Sequence, residues 1–333
     1  MRAGLKPAGY VQATKAAGIL WWAGFKDAVS LHRCFVFFVH DNRIVKRVAQ
    51  CFVLNGIIFL GSILLLQHVL KPATHWLLHI SLHSWAPALL LHAADSLIVA
   101  VYTWLWLFPA YTVSLLVNCL WYQEIAEHAF NVIQKQAVGE GRQRQKLRHA
   151  PQPLNVFIAQ EVYRVLLFSV FLAQNVVVRH VPYAGRPVQF LLTSWVYAFY
   201  WFDYKWSLTN LPLENRVQFF QSHWAYFAGF GSLCIVPQLF FSFLFSEALM
   251  GMAFPLFVLM ACESDPRAQY QKVAKSEAAH GRQLELGSVP VFYMAQQVAT
   301  GLIQQFDSVI AGSRHVSAWL KWLCRRCTQP TPQ

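Results

Sequence analysis

The chain has 333 residues, of which 56% are apolar and only 13% are charged. Soluble domains are about 25% charged, so the composition excludes an ordinary soluble protein and predicts an integral membrane protein, with several apolar runs long enough to cross a bilayer. The formal net charge is +12. We attribute it to Lys and Arg in loops that stay in the cytoplasm, and we expect no nucleic-acid partner.

The first 50 residues are basic and amphipathic. Apolar and aromatic side chains are mixed there with Lys26, Asp27, His32 and Arg33. This pattern is typical of a helix that lies in the membrane interface. It is equally typical of an amphipathic helix that packs on its own bundle, because periodicity does not separate the two.

Four membrane spans are predicted, over residues 51–70, 93–119, 154–178 and 188–206. Lys71-Pro72 is expected to end the first span, because proline has no amide hydrogen with which to continue a helix. Pro109 is expected to kink the second, which continues as an amphipathic extension.

A helical hairpin is predicted after the fourth span. That span ends in an aromatic belt, and residues 207–222 are expected to form a wet loop. An apolar run over 224–245 follows, then a run over 248–261 that looks too short to cross a bilayer comfortably. The two runs meet at residues 245–247, so they are expected to dip into the membrane and return, or to form two tilted spans.

The predicted fold class is therefore all-α: a multi-pass transmembrane helical bundle with about four full spans, a broken helical hairpin and an N-terminal amphipathic helix. Its expected parts are a basic amphipathic cytosolic or interfacial segment (1–50), the transmembrane bundle (51–262) and a cytosolic tail (263–333). Basic residues gather before the first span, over residues 134–153 and after Cys262. By the positive-inside rule these segments, and both termini, are cytosolic. We expect these basic loops to bind anionic lipid headgroups.

His75, His79 and His83 recur every fourth residue and share a helical face. Histidines at this spacing can chelate zinc, but no fourth ligand is evident. We therefore interpret them as polar side chains of the interface.

Cys324 and Cys327 form a lone Cys-x-x-Cys in the basic tail. A zinc site needs a second pair, so the open interpretations are reversible palmitoylation and two unmodified thiols.

Asp203 and Lys205 lie two residues apart at the end of the fourth span, so they do not share a helical face. Each is expected to anchor the helix through its own partner, such as a basic residue of the segment 214–223 or a lipid phosphate. Glu161 and Arg164 lie near the cytoplasmic end of the third span, where we expect them to snorkel or to pair.

Gly229 and Gly231 interrupt the first run of the hairpin. Glycines there can expose backbone N–H groups to an anion, or they can let helices pack closely. We favour packing. Few polar groups are evident at the membrane midplane, which favours a scaffold over a permease. The sequence has no nucleophile–base pair, no paired catalytic carboxylates and no phosphate loop, so we predict no enzyme, no cofactor and no metal.

Five stretches, taken in order, resemble one family: residues 47–56, 118–130, 200–206, 224–231 and 254–257. They resemble the etoposide-induced membrane proteins of the eukaryotic endoplasmic reticulum, which share a domain with the bacterial sulfate permease CysZ. The order and spacing agree over roughly residues 20–265, and residues 24–28 are similar to the amphipathic helix that leads into the family's bundle.

The candidate residues in these stretches are Gln50, Cys51, Asn55, Gly56, Asn118, Trp121, Gln123, Glu124, Asp203, Tyr204, Lys205, Trp206, Trp224, Tyr226, Gly229, Gly231 and Pro255. The resemblance implies a non-enzymatic multi-pass protein of the endoplasmic reticulum membrane. It implies a role in autophagy, in autophagosome formation, membrane organisation or membrane contacts, with unidentified autophagy or membrane-contact proteins as partners. The bacterial relatives imply an alternative, a permease or channel for sulfate-like anions.

Overall fold

The computed structural model describes residues 7–82, 88–139, 154–209, 211–279 and 286–310. Every regular element in these ranges is helical, which confirms the all-α class and the helical membrane bundle. Within the described ranges, three helices are long and apolar enough to cross a membrane: Asn42–Leu77, Ser96–Gly139 and Phe243–Glu263. They are called the first, second and third spanning helices below. Shorter apolar helices lie at Leu31–His40, Val165–Val178 and Trp224–Phe240.

The chain divides into two compact units, and each is described by itself. The spanning unit consists of residues 30–145 and 234–264, and it holds all three spanning helices. The aromatic unit consists of residues 1–29, 146–233 and 265–333. The three-part division expected along the sequence stays a prediction.

The helices of the spanning unit are α2 (Cys34–His40), α3 (Asn42–Phe52), α4 (Gly61–Leu65), α5 (Lys71–Leu82), α6 (Ala88–Tyr102), α7 (Phe108–Gly139), α12 (Ile235–Phe240) and α13 (Phe243–Glu263). π-Helical segments at Val53–Leu60, Leu66–Leu70 and Thr103–Leu107 join some of them into longer helices. Its apolar core contains Phe59, Ile63, Leu66, Leu107 and Ala248. These residues come from all three spanning helices, so burying them draws the three helices together.

The expectation that Lys71-Pro72 ends the first span is wrong. The first spanning helix continues through both residues to Leu77. The π-helical segment Leu66–Leu70 ends two residues before Pro72, so the backbone N–H that Pro72 lacks would lie where the hydrogen-bond pattern changes from π to α. The second spanning helix repeats this arrangement, with the π-helical segment Thr103–Leu107 ending two residues before Pro109.

The break in the predicted hairpin lies earlier than expected. The helix α12 ends at Phe240 and α13 begins at Phe243, whereas the sequence placed the break at residues 245–247. The last run therefore has 21 residues and is long enough to span. Its predicted shortness is a second error, because the apolar residues before Ser246 belong to this helix and not to the preceding one.

The helices of the aromatic unit are α1 (Pro7–Val29), α8 (Leu154–Val178), α9 (Gly185–Leu208), α10 (Leu213–Ser222), α11 (Trp224–Gly231), α14 (Pro266–Ala279) and α15 (Tyr293–Ile310). The segment predicted as a wet loop contains α10, which buries Val217 and Phe220. These two side chains lie three residues apart on one helical face, so the segment packs on its unit instead of remaining hydrated.

The part of the expected tail that the structure describes packs into the aromatic unit. Phe292 is completely buried, and Ala295 and Ala299 continue the buried face of α15. The ring of Phe292 contacts the rings of Phe171 and Phe199, with centroids 4.9 and 5.2 Å apart. The residues just after the spans are thus part of a hydrophobic core.

Candidate functional site: a buried polar cluster among the spanning helices

Two spanning helices bring three polar side chains together inside the spanning unit. Asn55 comes from the first spanning helix, and Ser114 and Asn118 come from the second. Only 3–4% of each residue's surface is exposed. Ser114 and Asn118 are four residues apart and so lie on one face of α7. We call this group the amide cluster.

The side chains of the amide cluster satisfy one another. Asn118 Nδ2 donates to Asn55 Oδ1 at 2.9 Å, and Asn55 Nδ2 donates back to Asn118 Oδ1 at 3.2 Å. Asn55 Nδ2 also donates to the Cys51 carbonyl at 2.8 Å, and Asn118 Nδ2 to Ser114 Oγ at 3.1 Å. Ser114 Oγ donates to Asn55 Oδ1 at 2.8 Å. Two amide groups and one hydroxyl carry five donor hydrogens, and these five bonds use them all.

Glycines let the third spanning helix approach this cluster. A Cβ atom at Gly251 would lie 2.5 Å from Asn55 Oδ1, and a Cβ at Gly56 would lie 2.7 Å from Met252 Sδ. A side chain at Gly251 would displace Asn55, whereas at Gly56 the flexible Met252 side chain would have to move. The predicted residues Cys51, Asn55, Gly56 and Asn118 therefore belong to one helix junction.

Pro255 joins the same junction through the backbone. In a regular helix the N–H of residue 255 would donate to the carbonyl of Gly251, four residues earlier, but proline has no N–H. The Tyr122 hydroxyl of α7 donates to that carbonyl at 3.0 Å. The Tyr122 ring also stacks on Phe254, with centroids 4.3 Å apart. A side chain of the second spanning helix thus replaces the backbone donor that Pro255 lacks.

An ion pair and a histidine–carboxylate contact lie on the α3 side of the amide cluster. Arg47 pairs with Glu124 at 2.7 Å and donates to Gln50 Oε1 at 2.9 Å. Asp41 Oδ1 accepts from the backbone N–H of Arg43 at 2.9 Å and so caps the N-terminus of α3. The other carboxylate oxygen, Oδ2, lies 2.8 Å from His128 Nδ1. These contacts join the start of the first spanning helix to α7.

In the aromatic unit, glycines bring helix backbones into direct contact. A Cβ at Gly229 would lie 1.8 Å from the Trp21 carbonyl oxygen, and one at Gly24 would lie 2.0 Å from that of Tyr226. Gly231 is equally close to the Ser194 carbonyl oxygen, at 1.8 Å. The helix α11 is therefore held between α1 and α9, a geometry that favours the packing interpretation of Gly229 and Gly231.

Asp203 pairs with Arg216, whose Nε also donates to the Leu211 carbonyl at 2.7 Å. This confirms the expectation that Asp203 holds a basic residue of the segment 214–223. Only 14% and 12% of the two side chains are exposed, so the pair is largely withdrawn from solvent. It fastens the end of α9 to α10.

Three other candidate residues also have contacts in the aromatic unit. Tyr226 donates from its hydroxyl to the buried Asp27 carboxylate at 2.7 Å. Trp224 Nε1 donates to the Gly287 carbonyl at 3.1 Å. Trp206 lies among aromatic rings, with its centroid 5.5 Å from that of Phe199. These contacts are structural in character.

Burial shifts the pKa values of Cys34 and His223, which both lie outside the spanning helices. Burial raises the pKa of the Cys34 thiol to about 12, so the thiol stays protonated and is a poor nucleophile. Burial also lowers the pKa of His223. Its Nδ1 lies 2.9 Å from the Phe219 carbonyl oxygen.

Several of the predicted residues belong neither to the amide cluster of the spanning unit nor to the glycine contacts of the aromatic unit. Gln123 donates to Glu127 on the same helix at 3.1 Å, and Trp121, Tyr204 and Lys205 join neither the amide cluster nor the glycine contacts. The side chains of His79, Glu161 and Arg164 lie outside the described residues, as do His83, Cys324 and Cys327 altogether. The interpretations given for the histidine stripe, the Glu161–Arg164 pair and the tail cysteines stay predictions.

The sequence interpretation also missed parts of the site. Few polar groups were expected at the midplane, yet the amide cluster lies inside two spanning helices. Ser114 and Tyr122 were not singled out, although they share a face of α7 with Asn118 at helical spacing. Chemically, the cluster is neutral and its donors are internally bonded, so it can join helices but offers an anion no unused hydrogen.

Comparison with known proteins gives the family. The profile described as "Sulfate transporter CysZ/Etoposide-induced protein 2.4" matches residues 30–255. The chain is 33% identical to the Protein EI24 homolog of Arabidopsis thaliana, over 86% of this chain and 94% of the relative. It is 27% identical to the Protein EI24 homolog of Dictyostelium discoideum, over 86% and 84%.

A more distant relative is Ectopic P granules protein 4 of Caenorhabditis elegans, 22% identical over 49% of this chain and 50% of the relative. No solved structure matches the chain. The profile covers well over half of the chain, including the first and second spanning helices, the first part of the third and the amide cluster. The chain is therefore a membrane protein of the etoposide-induced protein 2.4 family, which shares its domain with the sulfate transporter CysZ.

Proposed function

We propose that the chain is a non-enzymatic, multi-pass protein of the endoplasmic reticulum membrane that acts in autophagy, in autophagosome formation, membrane organisation or membrane contacts. Family membership supports this proposal, as does the likeness to a relative named Ectopic P granules protein 4. The distribution of Lys and Arg supports cytosolic termini. The expected partners are anionic lipid headgroups at the basic loops and unidentified autophagy or membrane-contact proteins.

One observation favours an organising role over transport. All five donor hydrogens of the amide cluster are used between the first and second spanning helices or within them. An anion in a protein is held by N–H and O–H donors or by cations. Arg47, the basic residue nearest along the chain, is engaged by Glu124. The cluster therefore joins the first and second spanning helices and has no donor left for an anion. We call this arrangement a helix clamp.

The proposal is tested by deleting the gene and measuring turnover of an autophagy cargo receptor during starvation. We expect turnover to fall in the deleted cells and to recover when the wild-type chain is expressed. We also expect the expressed chain to co-localise with an endoplasmic reticulum marker. Normal turnover in deleted cells, or a chain that resides in another membrane, would contradict the proposal.

The second candidate function is a permease or channel for sulfate-like anions. It is favoured by the description of the matching family, which names a sulfate transporter. Uptake into sealed liposomes that contain the purified chain separates this function from the first one.

A further inference from the structure

The helix α1 presents an exposed stripe on the side opposite its packing face. The stripe repeats every three or four residues and consists of Val11, Lys15, Ile19, Trp22, Lys26 and Val29. Val11 is 59% exposed, and Ile19, Trp22 and Val29 are 50, 51 and 46% exposed. The opposite face, with Ala16, Leu20 and Ala28, is buried. We call the exposed residues the α1 stripe.

The α1 stripe combines apolar and basic side chains and contains no acidic one. Asp27, the acidic residue of α1, is 5% exposed and is bound by Tyr226 on the buried side. A helix face that meets only water is ordinarily polar. Aliphatic residues and tryptophan together with lysines are typical of helices that lie in the interface of an anionic membrane.

We propose that the α1 stripe docks on the anionic surface of the membrane that the chain itself spans. Trp22 and Ile19 enter the boundary between headgroups and acyl chains, and Lys15 and Lys26 contact lipid phosphate or carboxylate groups. The chain enters the first spanning helix at Asn42, 13 residues after α1 ends at Val29, so the chain that carries the stripe also spans a bilayer. The buried face of α1 realises the packing alternative that the sequence left open, and the proposal assigns the interface alternative to the opposite face.

Charge complementarity favours this occupant over another protein. Each lysine near an anionic bilayer contributes roughly a fivefold preference, and the stripe itself contains no acidic residue. The inference stands independently of the role in autophagy, because it concerns contact with lipid and not the process that uses it.

The test uses the full chain in nanodiscs of phosphatidylcholine with a minority of phosphatidylserine. The photoreactive residue p-benzoylphenylalanine replaces Trp22, whose aromatic size it resembles. In a matched variant it replaces Gln271, an exposed position on the polar helix α14. After irradiation, mass spectrometry identifies what each position has captured.

We expect lipid adducts at position 22, enriched in phosphatidylserine relative to the nanodisc, and none at position 271. In the variant Lys15→Gln/Lys26→Gln the phosphatidylserine share of the adducts should fall to that of the nanodisc, while the unfolding midpoint stays at the wild-type value. An absence of lipid adducts at position 22 would overturn the proposal, as would crosslinks there to a second copy of the chain. Enrichment that persists in the double-lysine variant would overturn the anionic part.

Discussion

Asn55 and Asn118 each donate to and accept from the other inside the membrane, so neither amide is satisfied without its partner. Buried polar groups in a membrane have no water to bond, and a lost partner leaves an exposed dipole in an apolar medium. The measured value of such bonds between membrane helices is modest, on average about 0.6 kcal/mol and up to about 1.7 kcal/mol. We expect these bonds to have a larger effect on which helix faces pack together, because the observed pairing of the two helices satisfies every donor of the cluster.

We predict that Asn118→Leu destabilises the chain by about 1–2 kcal/mol, because it leaves Asn55 with one donor and one acceptor position unfilled. Replacing both partners removes both amides and leaves only the Ser114 hydroxyl without its Asn55 acceptor, so Asn55→Leu/Asn118→Leu should be more stable than Asn118→Leu alone. Unfolding of the purified chain in detergent measures both. A double variant that loses the sum of the effects of Asn118→Leu and Asn55→Leu, each measured alone, would show that the amides act separately.

Tyr122 has a second residue-scale role, since its hydroxyl supplies the donor that Pro255 lacks. Tyr122→Phe should therefore cost about 1 kcal/mol. In the background Pro255→Ala, the restored backbone N–H can bond the Gly251 carbonyl, and the same Tyr122→Phe change should cost clearly less. The double-mutant cycle is read from unfolding free energies. Equal costs in both backgrounds would refute the link between the two residues.

At the scale of elements, helix α11 is fixed by backbone contacts that only glycine permits. Gly229→Ala places a Cβ 1.8 Å from the Trp21 carbonyl oxygen, so α1 and α11 must move apart. We expect a loss of about 1–3 kcal/mol.

Gly18→Ala on α1 is the matched control for Gly229→Ala. A Cβ at Gly18 meets nothing within 4 Å, and alanine is the better helix former by about 0.5–1 kcal/mol. The control should therefore leave the unfolding midpoint unchanged or raise it. Equal unfolding midpoints for Gly18→Ala and Gly229→Ala would contradict a direct backbone contact between α1 and α11.

Element boundaries show where sequence patterns suffice and where they fail. The apolar runs correctly indicated an all-helical membrane protein, since long uncharged segments have few other solutions. Pro72 was misread because the rule that proline ends a helix ignores the preceding π-helical segment. The segment with α10 was misread although Val217 and Phe220 were visible at helical spacing, because its polar residues dominated the interpretation.

The candidate site was partly predictable in the same sense. Asn55 and Asn118 were named through the family resemblance. They are 63 residues apart in the chain, and the sequence does not indicate that their side chains are in contact. Asp203 could be given a basic partner in a short segment because α9 and α10 are adjacent in the chain. The positions of the glycines in the sequence indicated that helices could pack closely there. Only the folded structure shows which backbone atoms the glycines contact.

At the scale of the whole molecule, the described segment around Phe292, which follows the third spanning helix in the chain, belongs to a core and not to a free tail. Phe292 is fully buried and contacts rings from α8, α9 and α10. Phe292→Ala should therefore cost about 3–5 kcal/mol. The neighbouring Tyr293→Ala removes a half-exposed ring and should change stability by less than about 0.5 kcal/mol. Thermal unfolding of the two variants compares them, and equal midpoints would mean that the segment is not part of the core.

The most direct test of the central claim, that the spanning unit is a closed helix clamp and not an anion path, is uptake of radiolabelled sulfate into sealed liposomes that contain the folded chain. We predict uptake equal to that of empty liposomes, because the donors of the amide cluster are already bonded to one another. Saturable uptake above that background, abolished by Asn118→Leu in chain that is still folded and inserted, would contradict the account and make the chain a permease.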